Sequence, residues 1–402
     1  MKKRTLFKAL GLVACLLNSR GAASLAVAAQ ASLANPIVAP NGIVVQKLPA
    51  VLAAPRLLTF AKMGDMIVGS SAGKVYRLKA PYTSATTVVD FGGQPHSVSM
   101  RNVGAAQELW IGETEGIYKA IYDPNKSYKK SDFTLVAALP GGSGHSTRTV
   151  KISPDNHVFV SLGIQDNCSP QYLDDSYSFN ERRGGIFELD ESTADATKLV
   201  PYASGLRNPV GFSWQPETGV MYADNNGPDH WGFELPREVF EEVHQFSFFG
   251  MPWYQVINGK VTPDTCAPQD RAPQPASKVS LPVATFNARS APMDVAFIGA
   301  PQLVTAWSGS ALVALHGSWG IPPGGGNADR RSPKIVLVEF VKGKPTGKVS
   351  DFLTGFQDRT GKRFARPVGL AFGPDNALYF TSDSEGAGVY RVTSTAAAHI
   401  IH

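Results

Sequence analysis

The chain has 402 residues, enough to bury a large core as one large domain or as two to three ordinary ones. Its formal net charge of +5 owes much to Lys2, Lys3, Arg4 and Arg20 near the start, so the remainder is close to neutral. That balance argues against a nucleic-acid partner, and no basic run interleaved with aromatics supports one.

Residues 1–28 have the form of a secretory signal. A basic start precedes the mostly apolar stretch Leu6 to Leu17, and small residues ending in Ala26-Val27-Ala28 fit signal peptidase. Export to the periplasm is expected. Leu12-Val13-Ala14-Cys15 offers a rival, a lipoprotein leader of residues 1–14 with an acylated Cys15, although Lys8 would shorten its apolar core. No later run approaches the ~20 apolar residues of a membrane helix, so the chain is not expected to be transmembrane. Cys168 and Cys266 remain; in an oxidising compartment they suggest one disulfide closing a long loop, against two buried thiols. No C-x-x-C-H is present to attach haem.

From residue 35 to 395 the apolar pattern switches every few residues and is broken by Gly, Pro, Asp and Asn, which predicts an all-β chain. A strand–turn–strand unit recurs at Leu58–Leu78, Ser97–Ala120, Thr149–Gly163, Gly211–Asn225, Val295–His316 and Gly369–Val392. Pro-Asp-Asn at 154–156 and 374–376 and Pro-Glu-Thr-Gly at 216–219 are the same turn device. Six copies predict a six-bladed β-propeller in a single domain. A β-sandwich with a second domain fits less well, because the copies run along the whole mature chain. Two polar insertions, Gln165–Arg183 and Thr262–Lys278, each hold one cysteine, and Leu235–Gln245 reads as a short helix.

The chemistry-bearing residues precede these strands. His145, after Gly141-Gly142-Ser143-Gly144, could act as a general base or be a loop residue bonded to a neighbouring carbonyl. Arg207-Asn208 pairs a guanidinium fork with an amide, suited to a carboxylate or quinone oxygen or to tying two blades together. Asn226-Gly227-Pro228-Asp229 could present main-chain carbonyls to a hard cation or form a plain turn. Gln94-Pro95-His96 lies between two blades. Arg366-Pro367-Val368-Gly369 echoes Arg207-Asn208-Pro209-Val210-Gly211, so both guanidiniums are expected at one end of the axis, where two cations suit a polyanion. Trp319 could stack on a flat ligand or close a blade. No phosphate loop, serine-hydrolase elbow, zinc motif or dinucleotide fingerprint is present.

GLRNPVGFSWQPETG, NGPD, GHSTR before TVKISPDNHVFVSLG, LHGSWG, and RPVGLAFGPDNALYFTSD with VYRV together resemble the soluble quinoprotein glucose/sorbosone dehydrogenase family, over roughly residues 94 to 392. The resemblance implies pyrroloquinoline quinone (PQQ) with Ca²⁺ as cofactors. It implies His145 as the base for the substrate hydroxyl, and Arg207, Asn208, Gln94 and Arg366 as PQQ contacts. It makes Gly227 and Pro228 main-chain ligands of the Ca²⁺. Oxidation of an aldose, a sorbosone-like sugar aldehyde or a related alcohol by hydride transfer to PQQ is implied, with an external cytochrome or quinone taking the electrons. This sequence departs from the family pattern at Gly144, where glucose-oxidising members carry an acid, and at Arg289, where sorbosone-type members usually have His. The lysine of the glucose enzymes has no secure counterpart, though Ser318, Arg330 and Arg331 lie nearby. Two alternatives remain: a binding or scaffold propeller without chemistry, and a Ca²⁺-dependent hydrolase of lactones or esters, which would need more acids at the metal.

Overall fold

A computed structural model describes residues 36–192, 199–300 and 302–395; the leader and Cys15 lie outside them. The expected six blades are present, each built on four antiparallel strands; in the third blade Ser247–Phe248 adds a fifth, parallel to Leu199–Ser204. Their innermost strands are Pro55–Phe60, Ser97–Val103, Arg148–Ile152, Phe212–Trp214, Pro292–Phe297 and Pro367–Phe372. The first five blades take their strands in sequence order. The sixth is completed by Ile43–Lys47, which pairs with Gly388–Ser394 and so joins the two ends of the described chain.

The Pro-Asp-Asn turns work as read from sequence. Asn156 and Asn376 adopt positive φ (77° and 60°), a region Asn tolerates better than most residues. Leu235–Gln245 differs from its helical expectation. Glu238–Val243 is the third strand of the fourth blade, paired with Met221–Asn225 and with Ala284–Phe286. Burial of Phe240 and Val243 against the neighbouring sheets outweighs the helix-compatible mix of charges.

The core is distributed. One apolar cluster lies between each neighbouring pair of blades, such as Trp110, Val150, Val160 and Phe187 between the second and third. Tyr222, Phe240, Phe297 and Phe340 interlock between the fourth and fifth. Removing one such aromatic costs about 3–5 kcal/mol. Polar bonds stitch neighbouring blades: Ser97 Oγ donates to the Arg148 carbonyl, Thr149 Oγ1 to that of Val210, and Thr381 Oγ1 to that of Arg56.

Leu57, Met293 and Val368, from three innermost strands, and Val210, just before a fourth, meet as an apolar plug on the axis. Below it, a channel of about 340 Å³ holds the Lys151–Asp294 ion pair (2.6 Å). Above it, where the innermost strands begin, two cavities gather the candidate residues. Cys168 and Cys266 are disulfide-bonded, joining the two polar insertions.

Candidate functional site

The two upper cavities, of about 470 and 280 Å³, share His145, Asn208 and Met293. The larger also takes Arg207, Gly227, Asp229, Glu238, Arg289 and Trp319; the smaller takes Gln94, Arg56 and His96. The larger falls in the size range of small-molecule sites. Trp319 is 79% exposed at the rim, which removes its reading as a blade-closing residue.

His145 is held by its backbone and by one ring nitrogen. Nδ1 lies 2.6 Å from the Ile164 carbonyl, which can only accept, so Nδ1 carries the proton and Nε2 the lone pair. The loop around it is fixed by two buried arginines. Arg183 donates to the carbonyls of Gly163, Gly141 and His145 (2.8, 3.0 and 3.0 Å). Arg148 donates to those of His145, Thr147 and Pro140. Burial, then the charge of Arg207, pulls the His145 pKa down to about 4, so the imidazole is neutral at pH 7.

Two glycines permit this arrangement. A Cβ on Gly163 would come within 2.3 Å of Asn208 Oδ1 and 2.6 Å of His145 Cβ. Gly144 has φ +79°, and its Cβ would lie 1.4 Å from the Gln165 carbonyl oxygen. The acid of glucose-oxidising proteins therefore has no room before His145 on this backbone.

Arg207 is 6% exposed. Its Nε and Nη2 donate to the main-chain and side-chain oxygens of Asn167 (3.0 and 3.1 Å), beside the disulfide. Burial lowers its pKa. Asn208 follows on the same turn, its N–H bonded to Asn225 Oδ1 at 2.9 Å. Gln94 Oε1 accepts from Ser146 Oγ at 3.0 Å, which ties the second blade to the His145 loop.

The remaining expected residues behave differently. Arg366 lies at the same end of the axis but lines neither cavity. Its guanidinium donates to the carbonyl and Nδ1 of His316 (3.1 and 2.8 Å). His316 Nε2 then donates to Asp383 (2.9 Å), Asp383 accepts from Arg56 (2.5 Å), and Arg56 Nε donates to His96 Nδ1 (3.1 Å). Asp383 stays well below the usual carboxylate range: burial opposes this, but His316, Arg56 and Arg366 outweigh it. Arg56 is thus the cation that the first blade brings to the smaller cavity. No motif flagged it, because its partners come from the second and sixth blades. His96 Nε2 must carry that ring's proton; it is buried without a partner among the described residues.

Gly227 lines the larger cavity, its N–H donating to Glu238 Oε2 at 2.6 Å. The Pro228 carbonyl accepts from Arg289 Nη1 at 2.7 Å, so a guanidinium already occupies one of the two expected metal ligands. Burial raises the pKa of Glu238 to about 7, against the Gly227 N–H, Arg289 and Arg207, which favour its charged form. Glu238, too, went unflagged, having been read into a helix.

This fold has known counterparts. A Trichoderma reesei structure of "Carbohydrate-Active Enzymes Family AA12" is 22% identical, with TM-score 0.74 over 89% of this chain and 97% of that one. The holo PQQ domain of pyranose dehydrogenase from Coprinopsis cinerea is 20% identical, with TM-score 0.68 over the same shares. An uncharacterized protein of Borreliella burgdorferi is 25% identical across 92% of this chain and 93% of its own length. The profile of the TrAA12-like family matches residues 37–245 and 247–395, nearly every described residue, and the chain belongs to that family.

Proposed function

We propose that this chain is a PQQ-dependent dehydrogenase that oxidises an aldose, a sugar aldehyde or a related alcohol. The observation that carries the reading is the neutral His145, its Nε2 lone pair left for a proton, in one cavity with Arg207 and Asn208. The pyranose dehydrogenase domain of Coprinopsis cinerea and the aldose sugar dehydrogenase of Streptomyces coelicolor, both similar in fold, are described with PQQ bound.

PQQ is flat and carries three carboxylates. Arg207 and Arg289 border one cavity and Arg56 the other. The unpartnered N–H of His96 offers a further donor to an anion in the smaller cavity. These donors fit the group, which when bound supplies a quinone able to accept hydride. The chain's own part is then positional and acid–base. Arg207 and Asn208 orient the ligand, Trp319 at the rim offers a face for a flat ring, and His145 Nε2 takes the hydroxyl proton as substrate is oxidised. Arg366 acts at one remove, by fixing His316 and through it Asp383 and Arg56.

The leader adds export to the periplasm, with electrons passing to an external cytochrome or quinone. No helix among the described residues is long and apolar enough to cross a membrane. The test is reconstitution: apoprotein is titrated with PQQ while its absorbance is followed, then dye reduction is assayed over aldoses, sugar aldehydes and alcohols. Saturable PQQ uptake and bleaching by one substrate are expected; no uptake would sink the reading.

A further inference from the structure

Arg289 lies three residues before Pro292, the start of the innermost strand of the fifth blade, within Asn287-Ala288-Arg289-Ser290-Ala291-Pro292. Arg289 and Ala291 both take positive φ (69° and 52°), which non-glycine residues rarely adopt unless neighbours enforce it. Here the enforcement is visible. The Arg289 side chain is 11% exposed. Nη1 donates to the Pro228 carbonyl at 2.7 Å and pairs with Asp229 Oδ1 at 2.8 Å. Nη2 donates to the carbonyls of Leu235 (2.8 Å) and Gly232. Three carbonyls and one carboxylate thus converge on one guanidinium. Glu238 stands behind them on the Gly227 N–H.

This all-oxygen donor set is the kind a hard divalent cation takes. The guanidinium claims the same oxygens and neutralises the same carboxylate. A metal on the Pro228 carbonyl would have to displace a cation already bonded there through both terminal nitrogens. Ca²⁺ therefore does not fit this end of the cavity, although PQQ does.

We propose that Arg289 takes the place of the divalent metal, so that this chain binds PQQ without Ca²⁺. The fixed positive charge beside the cofactor comes from a side chain, held by the Gly227–Leu235 loop as an ion would be. The inference rests on the PQQ reading above.

Wild-type apoprotein, stripped with EDTA, is titrated with PQQ by quenching of tryptophan fluorescence, in EDTA and again in millimolar Ca²⁺. Equal affinity within about twofold is expected. Tightening by about tenfold or more in Ca²⁺, or binding lost in EDTA, overturns the inference and leaves the PQQ reading intact. No binding in either buffer overturns both. A second readout needs no cofactor. Tb³⁺ luminescence sensitised by Trp231 is expected to be silent in wild type and to appear, with Ca²⁺ competing, in Arg289→Ala, where the oxygens are uncovered. A wild-type Tb³⁺ signal that Ca²⁺ displaces and Asp229→Asn abolishes would overturn the proposal. Arg289→Ala is further expected to bind PQQ about tenfold more weakly in EDTA and to recover in Ca²⁺. Should that variant fail to fold, Arg289→Lys, which keeps the charge, is expected to retain metal-independent binding, and a Ca²⁺ requirement in it counts against the proposal.

Discussion

Replacing His145 by Gln tests the proton-transfer role most directly. The Nδ1–H bond to the Ile164 carbonyl sets the tautomer, and burial with Arg207 brings the pKa to about 4. At pH 7 roughly one imidazole in a thousand is then charged, so nearly every site has its base ready. A positioned base contributes about 10²–10⁴ in rate, and His145→Gln should lower kcat by that factor. PQQ affinity should change by less than about threefold, because the charged groups stay. The acidic limb of kcat/KM should fall near pH 4 to 5, well below the ordinary histidine value of 6.5.

Linkage gives an independent check of the same pKa. A histidine whose folded pKa is depressed binds more protons when unfolded. Its contribution to stability is full above about pH 6.5 and is lost as the pH falls towards 4. The drop from 6.5 to about 4, discounted for partial exposure, amounts to roughly 2–3 kcal/mol. Wild-type apoprotein should lose that much more stability than His145→Gln between pH 7 and pH 4.5, measured by urea unfolding. ¹⁵N spectra of the labelled imidazole should show the Nδ1–H tautomer down to about pH 5. An acidic limb centred at 6.5 or above, an Nε2–H tautomer, or a variant within about tenfold of wild-type kcat would refute the assignment.

Gly163→Ala places a methyl between Asn208 and His145, so kcat should fall about 10²-fold with the fold retained by circular dichroism; unchanged turnover would show that the close approach is dispensable. Cys266→Ser opens a bridge across 98 residues, worth about 2–5 kcal/mol, and frees the Asn167 loop that clamps Arg207. Melting temperature and PQQ affinity should fall together in that variant, and reductant should reproduce both losses in wild type. Lys151→Met leaves Asp294 buried without its cation, beside an already buried Asp224. A loss of about 3–5 kcal/mol is expected in denaturant titrations at pH 7, and a loss below about 1 kcal/mol would show that the pair is dispensable.

The propeller was legible because each blade carries its own local evidence: alternating apolar residues around a turn whose Asn or Gly announces the bend. The closing pairing of Ile43–Lys47 with Gly388–Ser394 was not, since nothing within a five-residue strand names a partner almost the whole chain away. At the site, His145, Arg207, Asn208 and Gln94 could be read from motifs because each sits just before an innermost strand, and the fold brings all such positions to one end. Arg148 and Arg183 could not. They are ordinary arginines in sequence, and their role is to satisfy loop carbonyls that only the folded backbone assembles. The helix expected over Leu235–Gln245 failed because a charge-rich segment with few apolar residues has no decisive period. Its two burying partners, strands of the same blade, decided the matter instead.

The echo between Arg207-Asn208-Pro209-Val210 and Arg366-Pro367-Val368 misled in a more instructive way. Val210 and Val368 both enter the axial plug, so they fix the common register of the two blades. Counted back from those valines, Arg366 stands two residues away and Arg207 three. Arg366 therefore corresponds to Asn208, and the sixth blade carries Ala365 in the place of Arg207. Register alone does not turn it away, because Asn208 at the same step lines both cavities; the bonds to His316 hold the Arg366 guanidinium outside them. There Arg366 meets His316, and its charge reaches the ligand site through Asp383 and Arg56. Arg366 lies at this end of the axis as inferred, but the further cations that border the cavities are Arg56 from the first blade and Arg289 from the fifth. The charge bordering the cavities follows from the partners each guanidinium finds in the folded chain, and a motif match cannot report those.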